Sequence, residues 1–363
     1  MALSFNPPPL RWPTRPALIF TAALLALGAV GGEVARLVSM PLPWMLGSLI
    51  TTALVVAFLP KRIPAGYRFS QPFRMVFIAI IGAMIGAQLT AEVFQQWPRY
   101  ILSLAGVTLF VALAHGWNYW MFRRIGGYDR PTAFFCGTPG GLMESIAMGE
   151  AAGADIRVLT IQQFLRIILV VSLVPLGLSI FHGHPVGSAA GIGFSQGAGE
   201  MAAIPVLLLV AALGLVLGVK LKLPAGQLIG PLIVAGAATL SGLVVLDPPN
   251  WVISVAQVVI GVSLGVRFIG ITGRMLGRAL GLSLASVAGM LVLGALLAGA
   301  LNLWTGQPFE VLLLSFAPGG VTEMGLVALS LAANPAVVAF HHLYRIVLTV
   351  VQMSVLSRWI GAR

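Results

Sequence analysis

Residues 132–154 read TAFFCGTPGGLMESIAMGEAAGA, an apolar stretch that carries two glutamates and is interrupted by a Pro-Gly-Gly triplet. A continuous helix facing lipid does not suit such a stretch, because backbone polar groups at membrane depth need partners within the protein. We therefore predict a re-entrant hairpin, which enters the membrane and returns to the same side. Residues 310–333, EVLLLSFAPGGVTEMGLVALSLAA, are a more apolar counterpart for which we predict the same structure.

The whole chain has the composition of an integral membrane protein. Hydrophobic residues make up 58% of its 363 residues, charged residues make up 9%, and the mean hydropathy is +0.99. A soluble domain carries roughly 25% charged residues. Apolar runs close to the roughly 20 residues that span a bilayer recur along the chain. We predict spans at 17–38, 43–59, 73–91, 100–121 and 156–181, and at 201–219, 224–245, 251–269, 280–303 and 335–357.

The two interrupted stretches belong to a duplication that covers nearly the whole chain. One set of residues recurs 179 positions later (318 minus 139, 345 minus 166). Its first copy is Pro139, Gly140, Gly141, Glu144 and Arg166, and its second copy is Pro318, Gly319, Gly320, Glu323 and Arg345. The pairs Gly82 and Gly86, Gly261 and Gly265 each form a GxxxG motif, which most simply allows close helix packing. Pro41 and Gly47 likewise match Pro224 and Gly230.

The duplication predicts how the chain is organised. We assign residues 1–15 to a cytoplasmic N-terminal segment, 16–182 to a first membrane repeat, 183–200 to an external glycine-rich linker and 201–363 to a second membrane repeat. Five spans per repeat make the second repeat insert upside down relative to the first. This topology places both termini in the cytoplasm and leaves only Arg36 and Arg99 outside, as the positive-inside rule favours.

The fold predicted is thus an all-α polytopic membrane protein of two inverted repeats, each with about five transmembrane helices and a re-entrant PGG hairpin. Inverted repeats with broken helices near the midplane are typical of secondary transporters. We expect the lipid bilayer and a small solute as partners, and no nucleic acid. The sequence is also compatible with a coupling ion and with an oligomeric assembly.

The repeated polar residues at the hairpins are the candidate substrate site: Thr138, Pro139, Gly140, Gly141, Glu144, Arg166, Pro318, Gly319, Gly320, Glu323 and Arg345. Thr138 followed by Pro139 predicts an N-cap and a helix start whose free N–H groups attract anions. The glycines allow a positive φ and a close approach of a ligand. The alternative is that the triplet merely makes a kink, and that Glu144 only caps the helix locally.

Two arginines lie within predicted spans. Arg166 occurs in LRIILVV and Arg345 in YRIVLTVV, where a buried guanidinium needs a partner or a cavity. The repeated glutamates are the natural partners. A purely structural Glu–Arg pair and a pair that also lines a substrate or proton path are equally open.

Two histidines directly precede the second of these arginines. His341 and His342 occupy the places of Gln162 and Gln163 in the first repeat and form a candidate proton relay. The alternative is that they are core histidines with satisfied hydrogen bonds.

Other classes of site find little support in the sequence. The single cysteine, Cys136, excludes an intramolecular disulfide framework and a cysteine cluster. The five histidines supply no obvious copper or iron ligand set. We find no Walker loop and no dinucleotide fingerprint. We therefore expect no metal, no cofactor and no catalytic residue.

The duplicated pattern resembles the AbrB-duplication family of bacterial membrane proteins over essentially the whole chain. LPWMLGS at 42–48, the GxxxG motifs and PGGxxE followed by an intramembrane arginine carry the resemblance, whereas LPAGQLIGPL at 223–232 departs from it. The resemblance implies the bacterial inner membrane.

The labels of that family imply either a regulator of gene expression or an ammonia monooxygenase. Without a DNA-reading module any regulation is indirect, and no metal site for a monooxygenase is readable. We expect a secondary transporter, or a transporter-like sensor, of a small polar or anionic solute, with indirect regulation second and an enzyme third.

Overall fold

The computed structural model describes residues 14–89, 97–183, 200–223, 225–270, 273–331, 333–357 and 360. This described part contains fourteen α-helices and no β-strand, which confirms the predicted all-α class. The first seven are α1 (Arg15–Leu37), α2 (Pro43–Phe58), α3 (Gln71–Gly86), α4 (Trp97–Arg124), α5 (Arg130–Cys136), α6 (Leu142–Ala151) and α7 (Ile156–His182). The other seven are α8 (Ala203–Lys220), α9 (Gly226–Leu240), α10 (Trp251–Gly265), α11 (Gly273–Thr305), α12 (Phe309–Phe316), α13 (Val321–Ser330) and α14 (Pro335–Leu356).

The chain is a membrane protein by the length and composition of these helices. Among the described residues, seven helical segments are long and apolar enough to cross a bilayer, and α2, α3 and α9 are shorter apolar helices. Large hydrophobic side chains lie on the outside, including Ile19 at 71% exposed and Leu296 at 68%. Lipid is the solvent that favours such a surface.

Several predicted features lie outside the described residues. They include Pro224, most of the predicted N-terminal segment and most of the linker predicted at 183–200. At the two ends of that linker, Gly183 follows the last residue of α7, and the Glu200 N–H donates to the Asp247 carbonyl at 2.9 Å.

Helices α1–α7 correspond one by one to α8–α14. The contacts correspond as well, because α1 packs on α2 as α8 packs on α9, and α7 packs on α11 as α14 packs on α4. Even backbone strain recurs, since the four described non-glycine residues with positive φ form two pairs at the same spacing. These pairs are Ser39 with Lys222 and Leu42 with Ala225. The duplication read from the sequence therefore extends to backbone conformation, including the segment where LPAGQLIGPL departs from LPWMLGS.

The GxxxG motifs join the two series of helices to each other. Helix α3 packs on α9, and α10 packs on α2, so each third helix packs on the second helix of the other series. A Cβ atom at Gly82 would overlap the carbonyl oxygen of Leu228, and one at Gly261 would overlap that of Met45. This confirms the interpretation that the motifs serve close packing. The two series consequently share one interlocked core.

A second group of helices carries the interrupted segments. Helices α4 and α11 pack on each other. The short helix α5 packs on α4 and α7, and the short helix α12 packs on α11 and α14. Asp155 and Asn334 start α7 and α14 by accepting hydrogen bonds from backbone N–H groups of the first turn. These caps fix where the two arginine-bearing helices begin.

Candidate functional site

The two chain breaks lie between α5 and α6 and between α12 and α13. The predicted helix start at Thr138 and Pro139 is wrong, because α6 begins at Leu142 with Gly141 as its N-cap. The Thr138 hydroxyl donates instead to the Phe135 carbonyl at 3.1 Å. Carbonyls at a helix C-terminus lack intrahelical donors, so this threonine completes the end of α5 and does not begin α6.

The glycines of the two triplets have different conformations. Gly141 adopts the left-handed region at φ 61°, whereas Gly320 has φ −77° and neither Gly140 nor Gly319 has a positive φ. Of the triplet glycines, only Gly141 uses the positive φ that glycine allows. Close approach does occur at Gly140, where a Cβ atom would lie 3.2 Å from the Thr349 hydroxyl oxygen.

The segment containing α5 and α6 returns to its starting point. The Asp155 N–H, just before α7, donates to the Thr132 hydroxyl in the first turn of α5 at 2.8 Å. A Cβ atom at Gly149, near the end of α6, would lie 3.4 Å from the Cβ of Phe135. The second interrupted segment starts beside α7, because His182 at the end of α7 lies 3.5 Å from the carboxylate of Glu310 in the first turn of α12.

Arg345 fills the break between α12 and α13. Its Nη1 donates to the carbonyls of Ala317 and, at 3.4 Å, Phe316; its Nη2 donates to the Gly319 carbonyl at 2.7 Å and to Nδ1 of His342 at 3.0 Å. The side chain is 1% exposed. A cation at this place also interacts favourably with the negative, C-terminal end of the α12 dipole.

Arg166 makes the corresponding contact at the first break. Its Nη1 donates to the Thr138 carbonyl, and Thr138 precedes Arg166 by 28 residues, as Ala317 precedes Arg345. The neighbouring residues match as well. Nε2 of Gln163 donates to the Phe135 carbonyl and Nε2 of His342 to the Leu314 carbonyl, both at 2.8 Å. Two copies of one hydrogen-bonded framework therefore hold the two breaks.

The predicted pairing of the arginines with the repeated glutamates is wrong. Within the described part of the chain, neither Arg166 nor Arg345 forms an ion pair with a carboxylate. Glu323 is buried and lies 3.9 Å from Nη2 of Arg74 in α3, whereas Glu144 is exposed. Both glutamates do lie in the first turn of their helices, as predicted. The arginines donate instead to backbone carbonyls near the ends of α5 and α12, because those carbonyls are buried acceptors without intrahelical donors.

The two histidines point to different helices. His341 donates from Nδ1 to the Val337 carbonyl, and its Nε2 lies 2.7 Å from the Ser103 hydroxyl of α4. His342 is held between the Leu314 carbonyl and Arg345. Both rings are fully buried, and each uses both nitrogens. The proton relay stays a prediction.

The structure adds residues that the sequence reading missed. Ser145 lies 2.7 Å from the Thr138 hydroxyl, Thr349 faces Gly140, and Arg74 approaches Glu323. Thr349 follows Arg345 by four residues, the spacing of one helix face, and that signal was present in the sequence. Arg74 belongs to a distant helix and left no comparable signal.

Comparison with known proteins identifies relatives over most of the chain. Residues 52–361 match the family model described as "Transition state regulatory protein AbrB". The chain is 25% identical over 350 residues to "Uncharacterized protein YhjN" of Bacillus subtilis (strain 168), and the aligned region covers 90% of this chain and 89% of the relative. It is 27% identical over 322 residues to "Putative regulator AbrB" of Escherichia coli (strain K12), with 82% and 90% covered.

Proposed function

This chain belongs to the AbrB family, and we propose that it is a secondary transporter of a small anionic solute in the bacterial inner membrane. The proposed topology has ten spans, namely the seven long helices and the three shorter apolar ones. Segments α5–α6 and α12–α13 are then re-entrant hairpins in oppositely oriented repeats, with both termini cytoplasmic. The hydrogen bond from Asp155 to Thr132 supports the first hairpin, because it joins the two ends of that segment.

The observation that carries the proposal is the burial of two guanidinium groups that have no carboxylate partner among the described residues. Arg166 is 6% exposed and Arg345 is 1% exposed. A buried cation is costly unless it is paired. The C-terminal dipoles of α5 and α12 supply at most about half a negative charge each, which leaves positive charge at the breaks. A bound anion would compensate that charge, and the exposed Glu144 does not.

The two hairpins differ in a way that suits alternating access. Helix α13 packs against α3, and Glu323 is buried there beside Arg74. Among the described residues, α6 makes no comparable packing on α10, and Glu144 is exposed. Transporters with inverted repeats move one repeat against the other around a fixed site. One closed and one open hairpin is the arrangement expected for one end state of such a cycle.

A role in gene regulation is the second candidate, which the name of the Escherichia coli relative favours. The described helices pack into a membrane-type assembly, so regulation would act through solute sensing. The monooxygenase suggestion gains no support, because no group of three His, Cys, Asp or Glu side chains in the described residues is placed to hold a metal ion.

Solute flux in proteoliposomes tests the transporter proposal. We expect the purified wild type to move at least one radiolabelled anion from a panel of carboxylates, phosphate and sulfate faster than protein-free liposomes. Gly141→Val should abolish that flux, because a left-handed backbone costs a non-glycine residue roughly 1–2 kcal/mol and a β-branched residue more.

The matched control is Gly177→Val on α7, where an added Cβ atom meets no described residue within 4 Å. It should retain the flux. Absence of wild-type flux for every anion would refute the transporter proposal. Wild-type flux in a folded Gly141→Val protein would show that the break takes no part in transport.

A further inference from the structure

We propose that the break between α5 and α6 binds a 2-hydroxycarboxylate, with Arg166 binding the carboxylate and Gln163 accepting a hydrogen bond from the hydroxyl. The inference rests on the proposed function and names the substrate class of its site. Its basis is the difference between two otherwise equivalent hydrogen-bonded frameworks. Among the described residues, the second repeat leaves only the arginine Nε without a partner, whereas the first leaves the arginine Nε and Nη2 and the glutamine Oε1 without one.

Arg345 shows the saturated case. Its two terminal nitrogens donate to four partner atoms, and among the described residues only its Nε has no partner. One of those partners is Nδ1 of His342. The same histidine donates from Nε2 to the Leu314 carbonyl, so its two nitrogens connect the arginine to the end of α12. Arg345 therefore acts as a positioning residue for the second break.

Arg166 shows the unsaturated case. Its Nη1 donates to the Thr138 carbonyl, its buried Nε has no partner, and its Nη2 donates to no atom of the described chain. Nε–H and Nη2–H lie on one edge of the planar guanidinium. That edge matches the two oxygens of a carboxylate in a bidentate pair. An unpaired buried donor is costly, which favours an anion at this edge.

Gln163 supplies the second unpaired atom. Its Nε2 donates to the Phe135 carbonyl at 2.8 Å and to the Thr138 hydroxyl at 2.9 Å, and the bond to a carbonyl fixes the orientation of the amide. Its Oε1 is fully buried and accepts from no donor in the part of the chain that the structure describes. Gln163 and Arg166 are three residues apart on α7, so their side chains lie on one face. The ligand must offer two acceptors to the arginine and one donor to the amide.

A carboxylate with a neighbouring hydroxyl has that chemistry. The hydroxyl donates to Oε1 of Gln163 while the carboxylate accepts from Nε and Nη2 of Arg166. The N-terminus of α6 adds an electrostatic contribution, because Gly141 gives it no side-chain cap. At the second break the carboxylate of Glu323 folds back over Gly320, where an added Cβ atom would overlap it. At the first break an added Cβ atom at Gly141 would lie 3.4 Å from the Glu144 carboxylate, so the second break is the more closely filled by its own glutamate.

One residue difference between the repeats decides which arginine is free. Position 163 carries glutamine, whose amide nitrogen serves the Phe135 carbonyl and leaves nothing for Arg166. The equivalent His342 has a second nitrogen, which accepts from Arg345. Gln163→His copies the second repeat, so its second ring nitrogen should accept from Arg166 and occupy the edge of the guanidinium. Gln163→Asn instead shortens the side chain by one methylene group.

Thermal unfolding of the purified full-length protein, followed by tryptophan fluorescence with L-lactate or propionate, tests the inference. We expect L-lactate to stabilise the wild type and to bind about tenfold more tightly than propionate, as one additional buried hydrogen bond implies. Gln163→His should keep or raise the melting temperature without ligand and should lose the stabilisation by lactate. Arg157→Lys, an exposed substitution on the same helix, should respond as the wild type does.

Arg166→Lys provides a second variant if Gln163→His fails to fold. It keeps the charge but loses the planar fork, so lactate binding should weaken about tenfold or more. Three results would overturn the inference: no stabilisation of the wild type by lactate, equal stabilisation by propionate, or retained lactate stabilisation in folded Gln163→His. If the wild type carries another anion in proteoliposomes while lactate fails to stabilise it, the transporter proposal stands and the 2-hydroxycarboxylate site does not.

Discussion

Gly82→Leu and Gly261→Leu should each prevent the accumulation of folded protein in the membrane. An added Cβ atom at either position overlaps a backbone carbonyl of the other series of helices, Leu228 for Gly82 and Met45 for Gly261. Backbone in the middle of a packed helix cannot move aside as a flexible side chain can. Overpacking a core typically costs about 1–3 kcal/mol per site and more when the obstacle is rigid. Yield in the membrane fraction and monodispersity in detergent measure the effect.

Gly116→Leu and Gly299→Leu are the matched controls, since they place the same side chain on long helices of the second group. No atom of the described residues lies within 4 Å of an added Cβ at either glycine. These variants should accumulate as the wild type does, and the loss of an interior helical glycine favours them slightly. If Gly82→Leu and Gly261→Leu also behave as the wild type, the interlocked packing of the two repeats is wrong.

Cysteines placed at the two repeated glutamates should differ almost completely in their reactivity. Cys136 is buried and is the single cysteine of the chain, so Cys136→Ala provides the background. In it, Glu144→Cys should react with N-ethylmaleimide, because residue 144 is exposed. Glu323→Cys should remain unmodified, because residue 323 is 4% exposed and lies where α13 packs on α3. A subsequent gel-shift with a large maleimide reports the fraction left unreacted.

Two controls accompany the labelling. Glu150→Cys, exposed on the same helix as residue 144, should react readily, and Ser145→Cys, fully buried beside it, should not. All four variants should react after denaturation. Equal native reactivity at positions 144 and 323 would contradict the asymmetry of the hairpins and, with it, the assignment of this structure to one end state of a transport cycle.

The labelling result matters for the proposed function because sequence alone treats the two hairpins as copies. Each has the PGG triplet, a glutamate in the following first turn and an arginine 28 residues after the residue that precedes the triplet. Their different environments arise from packing on distant helices. The transporter proposal needs that difference, since two identically closed or identically open hairpins would not give alternating access.

By itself the sequence determined the membrane class, the duplication and the presence of an arginine within an apolar span of each repeat. Those properties follow from hydropathy, fixed spacing and the cost of an arginine within an apolar span, all of which are local or periodic. Glycine spacing likewise predicted close helix contacts. It did not indicate which helices would meet, because any pair of helices with small residues can approach closely.

Only the tertiary structure decided the partners of the charged residues. A buried guanidinium can be satisfied by a carboxylate or by carbonyls at a helix end, and sequence spacing does not separate these possibilities. Arg166 and Arg345 donate to backbone carbonyls at the chain breaks. Arg74 of α3 approaches Glu323, and Glu144 is exposed. The physical reason is that hydrogen-bond partners are chosen by position in space, and the two repeats place the same motif against different neighbours.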